Sequence, residues 1–79
     1  MFKFVPVPAS QYLTLVYHAT SDFTVRIYTV TGQKMAELSM QGDGSNQYIN
    51  IDTYTTGIYY YEILRKNAVL KRGNISIIK

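Results

Sequence analysis

The sequence contains no cysteine, so neither a disulfide nor a thiolate metal site is available to this chain. It contains one histidine, His18, with no carboxylate close to it in the sequence. Catalysis and metal binding need several such groups together, so we expect His18 to be an ordinary residue at a strand end. The absence of cysteine fits any cellular compartment and predicts nothing about location.

Long apolar runs are also absent. No run approaches the roughly 18 apolar residues that a membrane-spanning helix requires, so we predict no transmembrane segment. The first six residues end at a proline too early to form a signal peptide. If the protein leaves the cytoplasm, we therefore expect this sequence to be a fragment of a longer secreted protein.

Acidic residues are scarce and are missing from the C-terminal end. Residues 1–64 hold three basic and five acidic side chains, a net charge of −2, whereas residues 65–79 hold five basic ones and no acid, a net charge of +5. The sum is the overall charge of +3. Basic residues on a last strand often protect a sheet edge against aggregation, which is the simplest interpretation of this cluster.

No window shows the 3.6-residue periodicity of a helix, whereas several show the two-residue alternation of a strand. The densest run of β-favouring residues spans 57–64, and we predict a central strand there with a neighbour on each side. Gly57, the first residue of this run, forms a turn signal with Thr56 and is expected to take a positive φ. The alternation assigns one face to Tyr59, Tyr61 and Ile63, and the other to Ile58, Tyr60 and Glu62.

Further strands are predicted over residues 2–5, 11–18, 23–30, 33–40, 47–52 and 69–79. Thr31-Gly32 is typical of a tight hairpin connection, and Met35, which is out of phase, indicates a bulge beside it. Asn67 suits a left-handed turn position, and Gly73 suits a bulge or bend.

About seven short strands with regularly spaced turns predict an all-β fold, an immunoglobulin-like antiparallel β-sandwich. Seventy-nine residues leave room for one core only, so residues 1–79 are expected to form a single β-sandwich domain. Pro6 and Pro8 are expected to hold the entry to this domain extended.

Two binding functions are weakly supported by the residues. Asp43, Ser45 and Asn46 offer oxygen ligands in a glycine-flanked loop, but Asp52 stands where a calcium loop needs a bidentate glutamate. A solvated loop is favoured, and we expect no metal and no cofactor. Eight tyrosines beside basic residues are compatible with nucleic-acid stacking, but such tyrosines more often belong to the core and sheet surface. We expect no nucleic-acid partner, and the residues alone indicate a small all-β domain that is not an enzyme.

Four segments, in order, carry a family resemblance across nearly the whole chain. They are the opening Pro6-Val7-Pro8, the strand Val25-Arg26-Ile27-Tyr28 that runs into Gly32, the pair Ile49-Asn50-Ile51 and Gly57-Ile58-Tyr59, and the basic and apolar end of the chain, 71–79. In this pattern the chain resembles the C-terminal sorting domains of cargo proteins exported by the type IX secretion system. It departs from that pattern at Val7, where asparagine is usual, and at Tyr54, where leucine is common.

The resemblance implies a non-catalytic address label. An upstream cargo, covalently continuous with this domain, would cross the inner membrane, fold in the periplasm and be presented to the outer-membrane type IX translocon for transfer to the cell surface or extracellular space. A sortase-like protease would then remove the domain in many relatives. The element expected to be recognised comprises Lys71, Arg72, Gly73, Asn74, Ile75, Ser76, Ile77, Ile78 and Lys79.

A terminal strand of this composition could be recognised by strand addition to a receptor edge. Two other protein classes remain open at this stage. An immunoglobulin-like adhesion or carbohydrate-binding module would display exposed aromatic residues clustered outside the core. A pilin-like assembly subunit would have an open groove or a donor strand.

Overall fold

Seven antiparallel strands make up the fold in the computed structural model, which describes residues 2–6, 9–19, 21–42, 44 and 46–79. The strands are β1 (Phe2–Val5), β2 (Leu13–Tyr17), β3 (Phe23–Tyr28), β4 (Lys34–Met40), β5 (Asn46–Ile49), β6 (Gly57–Arg65) and β7 (Ala68–Ile77). These described residues include no helix, and hence no helix long and apolar enough to cross a membrane.

The strands form two sheets that pack face to face. One sheet has three strands in the order β1-β2-β5, and the other has four in the order β4-β3-β6-β7. The predicted β-sandwich is therefore confirmed. Between the sheets lies one apolar cluster, in which the largest fully buried side chains are Leu13, Leu15, Val25, Ile27, Ile51, Ile63, Ile75 and Ile77.

Strand β6 is central, as predicted, because it pairs with β3 on one side and β7 on the other. Tyr59, Tyr61 and Ile63, which the alternation assigns to one face, point into the core. On the opposite face Ile58 and Tyr60 are about half exposed. The apolar residues on both faces of β6 therefore reflect a central place within the sheet and not burial on both faces.

The β6–β7 hairpin follows the prediction. Arg65 pairs with Ala68 across a two-residue turn in which Lys66 and Asn67 have φ values of 51° and 65°. Positive φ at both central positions is typical of the turn whose twist matches that of the flanking strands, and asparagine tolerates it better than most residues.

The β3–β4 hairpin differs from the predicted tight connection at Thr31-Gly32. Its loop spans residues 29–33 and is closed by hydrogen bonds from the Thr29 amide to the Gln33 carbonyl and from the Gly32 amide to the Thr29 carbonyl. The Thr29 hydroxyl also accepts a hydrogen bond from the Gln33 amide, which favours the wider loop. Gly32 has φ 94°, a value that glycine adopts without a steric penalty.

Both edge strands of the four-stranded sheet carry a bulge. In β4, Ala36 pairs with Ile27 and Lys34 with Tyr28, so Met35 is the extra residue, as predicted. In β7 the extra residue is Leu70, and the predicted bulge or bend at Gly73 is wrong because Gly73 pairs directly with Tyr61.

The predicted end of β5 needs correction. Strand β5 ends at Ile49, not at residue 52, because the Asn50 side chain accepts a hydrogen bond from the Asp52 amide in a turn.

Gly57 has a positive φ of 158°, as expected. Pro6 is described and follows a cis peptide bond, whereas Val7 and Pro8, and with them most of the predicted extended entry, lie outside the described residues.

Tyr54 and Tyr59 lie in the core with ring centroids 5.0 Å apart, but their hydroxyls differ. The Tyr59 hydroxyl donates to the Thr55 carbonyl and accepts from the Thr55 amide. The Tyr54 hydroxyl is buried without a hydrogen-bond partner among the described residues. Burial is the larger cause that raises the pKa of Tyr54, because the buried phenolate would be poorly solvated, and the neighbouring Tyr59 raises this pKa further.

We therefore predict that Tyr54→Phe maintains or raises the free energy of unfolding, by up to about 1 kcal/mol, because it removes a buried unpaired hydroxyl. Because the pKa of Tyr54 is raised in the folded state, this tyrosine contributes stability that is fully present below its pKa in the unfolded chain and is lost as pH rises through its pKa in the folded chain. Tyr54→Phe should therefore also lessen the loss of stability at alkaline pH. Urea unfolding between neutral pH and strongly alkaline pH measures both effects.

Tyr59→Phe is the matched control, because it removes the same atom from a hydroxyl with two backbone hydrogen bonds. It should destabilise the fold by about 1–2 kcal/mol at neutral pH. Equal destabilisation by the two variants would contradict the difference between the hydroxyls.

Candidate recognition strand

The nine residues predicted to be recognised lie in one continuous segment at the edge of the four-stranded sheet. Residues 71–77 are the last seven of the ten residues of β7, and Ile78 and Lys79 follow it. Ile75 and Ile77 are each 1% exposed, whereas Ile78 is 54% exposed. Two of the nine predicted residues therefore belong to the core, and five are exposed at the surface.

The end of this segment is fixed by residues that the sequence analysis did not single out for it. Ala9, which is fully buried, lies parallel to β7 in a single bridge to Ile77. The Ala9 amide donates to the Ser76 carbonyl at 2.9 Å, and the Ile78 amide donates to the Ala9 carbonyl at 2.8 Å. In the sequence, this contact was indicated only by a small residue, Ala9, directly after the two prolines of the entry segment.

Lys79 is fixed in the same way. Its amide donates to the Thr56 hydroxyl at 2.9 Å, and its Nζ donates to the Ile51 carbonyl at 2.7 Å. Lys71 Nζ donates to the Phe2 carbonyl at 3.1 Å. The C-terminal residues are thus part of the folded sandwich and not a loose extension of it.

A row of alternating charges crosses the outer face of the four-stranded sheet, one residue from each strand. In spatial order these residues, which we call the charge ladder, are Glu37 on β4, Arg26 on β3, Glu62 on β6 and Arg72 on β7. Arg26 Nε lies 2.8 Å from Glu37 Oε1, and Arg72 Nε lies 3.1 Å from Glu62 Oε2. Cross-strand pairs of opposite charge favour this register.

Contacts within and beside the ladder shift the pKa values of Glu37 and Arg26. Hydrogen bonds from Lys34 and then from Arg26 hold the pKa of Glu37 below its ordinary value. The hydrogen bond to Glu37, and next that to Tyr28, raises the pKa of Arg26. Because these side chains are exposed, the pairs contribute little to stability, and their main effect is to fix side-chain positions.

Beside the ladder lies a shallow groove on the same outer face. It is lined by the cross-strand pair Tyr28 and Tyr60, by Val30, Gly32 and Asn74, and by Glu62 and Arg72 of the ladder. Tyr60 and Val30 are 47% and 64% exposed. This is the clustering of exposed aromatic and apolar side chains outside the core that a carbohydrate-binding module would show.

The described residues offer no group of three or more histidine, cysteine, aspartate or glutamate side chains able to hold a metal ion. Of the three loop residues weighed as oxygen ligands, Asp43 and Ser45 lie outside the described residues, and Asn46 begins β5.

Gly73 has a steric role in the recognition strand. The ring of Tyr61 lies across it, so a Cβ at position 73 would come within 2.6–2.8 Å of the Tyr61 side chain. That ring is itself packed against Phe4, with centroids 4.5 Å apart. Burial also raises the pKa of Tyr61.

A family model described as the secretion system C-terminal sorting domain matches residues 3–77 of this chain. The match covers nearly all of the sequence, so the chain belongs to this family, the sorting domains of the type IX secretion system. It is a secretion signal of a family that is not an enzyme family, and it directs export to the cell surface or extracellular space. The search against curated proteins found no match.

We predict that Gly73→Ala destabilises the fold by about 1–3 kcal/mol, because the added methyl group overlaps the Tyr61 ring, which Phe4 prevents from moving freely. Asn74→Ala, at the neighbouring exposed position, should change the unfolding free energy by no more than about 0.5 kcal/mol. Urea denaturation of the two variants checks this, and an unchanged midpoint for Gly73→Ala would show that the ring moves aside at no cost.

Proposed function

We propose that this domain carries a covalently attached upstream cargo through the periplasm to the outer-membrane type IX translocon, and that residues 71–79 are the element that the translocon recognises. A sortase-like protease is the proposed partner for later removal of the domain. The domain itself provides the address and takes no part in chemistry.

The observation that carries this proposal is the position of the basic segment within a domain of the sorting family. Arg72 is exposed on an edge strand, and Ile78 and Lys79 are exposed after it. The backbone of Ile78 is fixed by Ala9, that of Lys79 by Thr56 and that of Arg72 by pairing with Glu62 on β6, so a receptor meets them in one arrangement. A receptor that binds a preformed surface loses less conformational entropy than one that must order a flexible tail.

Deleting residues 75–79 is a poor test, because it removes Ile75 and Ile77 from the core together with the exposed residues. Replacing Arg72 alone is also ambiguous, since it leaves Glu62 without its partner. An exchange of charges within the ladder avoids both difficulties. Glu62→Arg combined with Arg72→Glu keeps an ion pair at these positions, keeps the net charge of the chain and replaces the positive charge at position 72 of β7 with a negative one.

The assay is a fluorescent reporter with an inner-membrane signal, fused upstream of this domain in a type IX-competent cell. We expect the Glu62→Arg, Arg72→Glu exchange to lower the amount of surface reporter more than about tenfold, which corresponds to roughly 1.4 kcal/mol of recognition free energy. Protease accessibility of the reporter and cell fractionation measure the outcome, and circular dichroism of the purified domain verifies that it is folded.

The matched control is Arg26→Glu combined with Glu37→Arg, which exchanges charges at the other end of the same ladder. Each exchange creates a contact between like charges at positions 26 and 62, and the control also breaks the ion pair of Lys34 with Glu37, so the control should disturb the sheet at least as much as the β7 exchange. Export should remain normal for the control. Normal export of the β7 exchange, or equal loss in both, would count against recognition through β7.

The groove beside the ladder supports a second candidate function, binding of a neutral oligosaccharide. The tyrosines that line the groove can stack on a sugar ring, and Asn74 lines the same groove. We expect cellohexaose, laminarihexaose or maltohexaose to shift the amide resonances of β3 and β6, and Tyr60→Ala to weaken that binding about fivefold, since an aromatic contact contributes ~1 kcal/mol. Tyr48→Ala changes a similarly exposed tyrosine of the other sheet and should have no effect. Absence of shifts with all three sugars would reject this function.

A further inference from the structure

The outer edge of β7 has backbone groups available for pairing. The Ser76 carbonyl and the Ile78 amide both point away from β6, because both bond to Ala9 on that side. Since peptide groups of alternate residues in a strand face the same side, the amide and carbonyl of Arg72 also point outward. No described residue forms a backbone hydrogen bond with Arg72 on that side.

Arg72 is the last member of the charge ladder and has a carboxylate on one side only. Arg26, the other arginine of the ladder, lies between Glu37 and Glu62. Arg72 lies beside Glu62 alone, and its side chain is 69% exposed. A further strand added to β7 would place one of its side chains directly across from Arg72, and a carboxylate there continues the alternation of charge.

We propose that the edge of β7 around Arg72 binds an extended segment of its partner by strand addition, and that this segment carries an aspartate or glutamate opposite Arg72. This inference rests on the proposed function for the identity of the partner in the cell, but the binding itself requires no translocon. Main-chain hydrogen bonds provide the affinity of such a contact, and the pairing of side chains provides its selectivity. Arg72 disfavours a basic strand and favours an acidic one.

The same charges disfavour a second copy of the chain as the occupant. Two β7 edges paired together would bring basic segments side by side, which costs free energy. The edge of β4 displays Glu37, but this carboxylate already accepts from Arg26 at 2.8 Å and Lys34 at 3.2 Å. The bulge at Met35 also interrupts that edge close to Glu37.

The test uses the purified chain and two blocked peptides that differ at one position, acetyl-Thr-Val-Thr-Glu-Thr-Val-Thr-amide and the same peptide with lysine in the centre. Amide resonances of the chain are followed during titration. We expect the glutamate peptide to shift β7 resonances and to bind about tenfold more tightly than the lysine peptide, since one exchanged charge pair decides between them.

The charge exchange provides the decisive variant. With Glu62→Arg and Arg72→Glu the preference should reverse in favour of the lysine peptide, whereas with Arg26→Glu and Glu37→Arg the preference for glutamate should persist. Equal affinities, no binding of either peptide, or shifts confined to β4 would overturn the proposal. Concentration-dependent sedimentation of the free chain would identify a second copy as the occupant and would also overturn it.

The outcomes separate this inference from the proposed function. If the peptide preference reverses as expected but the reporter fused to the Glu62→Arg, Arg72→Glu variant is exported normally, recognition in the cell does not use this edge. If export fails but neither peptide binds, the translocon reads Arg72 without adding a strand.

Discussion

The structure depends on one constraint, which is that the strand at the edge of the larger sheet must also complete the core. Ile75 and Ile77 are buried to 1% exposure, and full burial of such side chains is worth about 1.5–3 kcal/mol each. In a sandwich of this size, two such residues are a large part of the net stability. The C-terminal residues therefore stay in β7 because the fold requires them there, and recognition is limited to what the strand leaves outside.

The side chains at the end of β7 alternate between the two faces of the sheet. Ile75 and Ile77 face the core, while Arg72 and Asn74 face the opposite side, in the cross-strand rows on the outer surface of the sheet. Arg72 is consequently held by Glu62 at a fixed place in the ladder. A positively charged edge built in this way discourages non-specific association, and the proposed selection of a partner by charge would use the same residues, so the two interpretations of the basic cluster are compatible.

Sequence reasoning predicted the elements that depend on local pattern. The central place of β6, the turn at Asn67 and the bulge at Met35 all follow from alternation and turn chemistry. It failed where a contact distant in sequence decides the geometry. Gly73 was assigned a bulge because a glycine in a strand suggests one, but its reason is the Tyr61 ring twelve residues earlier. The parallel bridge from Ala9 to Ile77 is likewise invisible in any local window.

The Ala9 bridge links the entry of the chain to its last strand. Because Ala9 bonds to both Ser76 and Ile78, displacement of the entry segment would free the amide and carbonyl groups on that side of β7 and expose Ile77. The edge around Arg72 does not depend on this bridge, so a partner strand can begin to pair there while the sandwich stays intact. Extension of that pairing toward Ile78 would then require the partner to replace Ala9. Under the proposed recognition, pairing at Arg72 would therefore precede any opening of the C-terminal end, and the fold allows the first without the second.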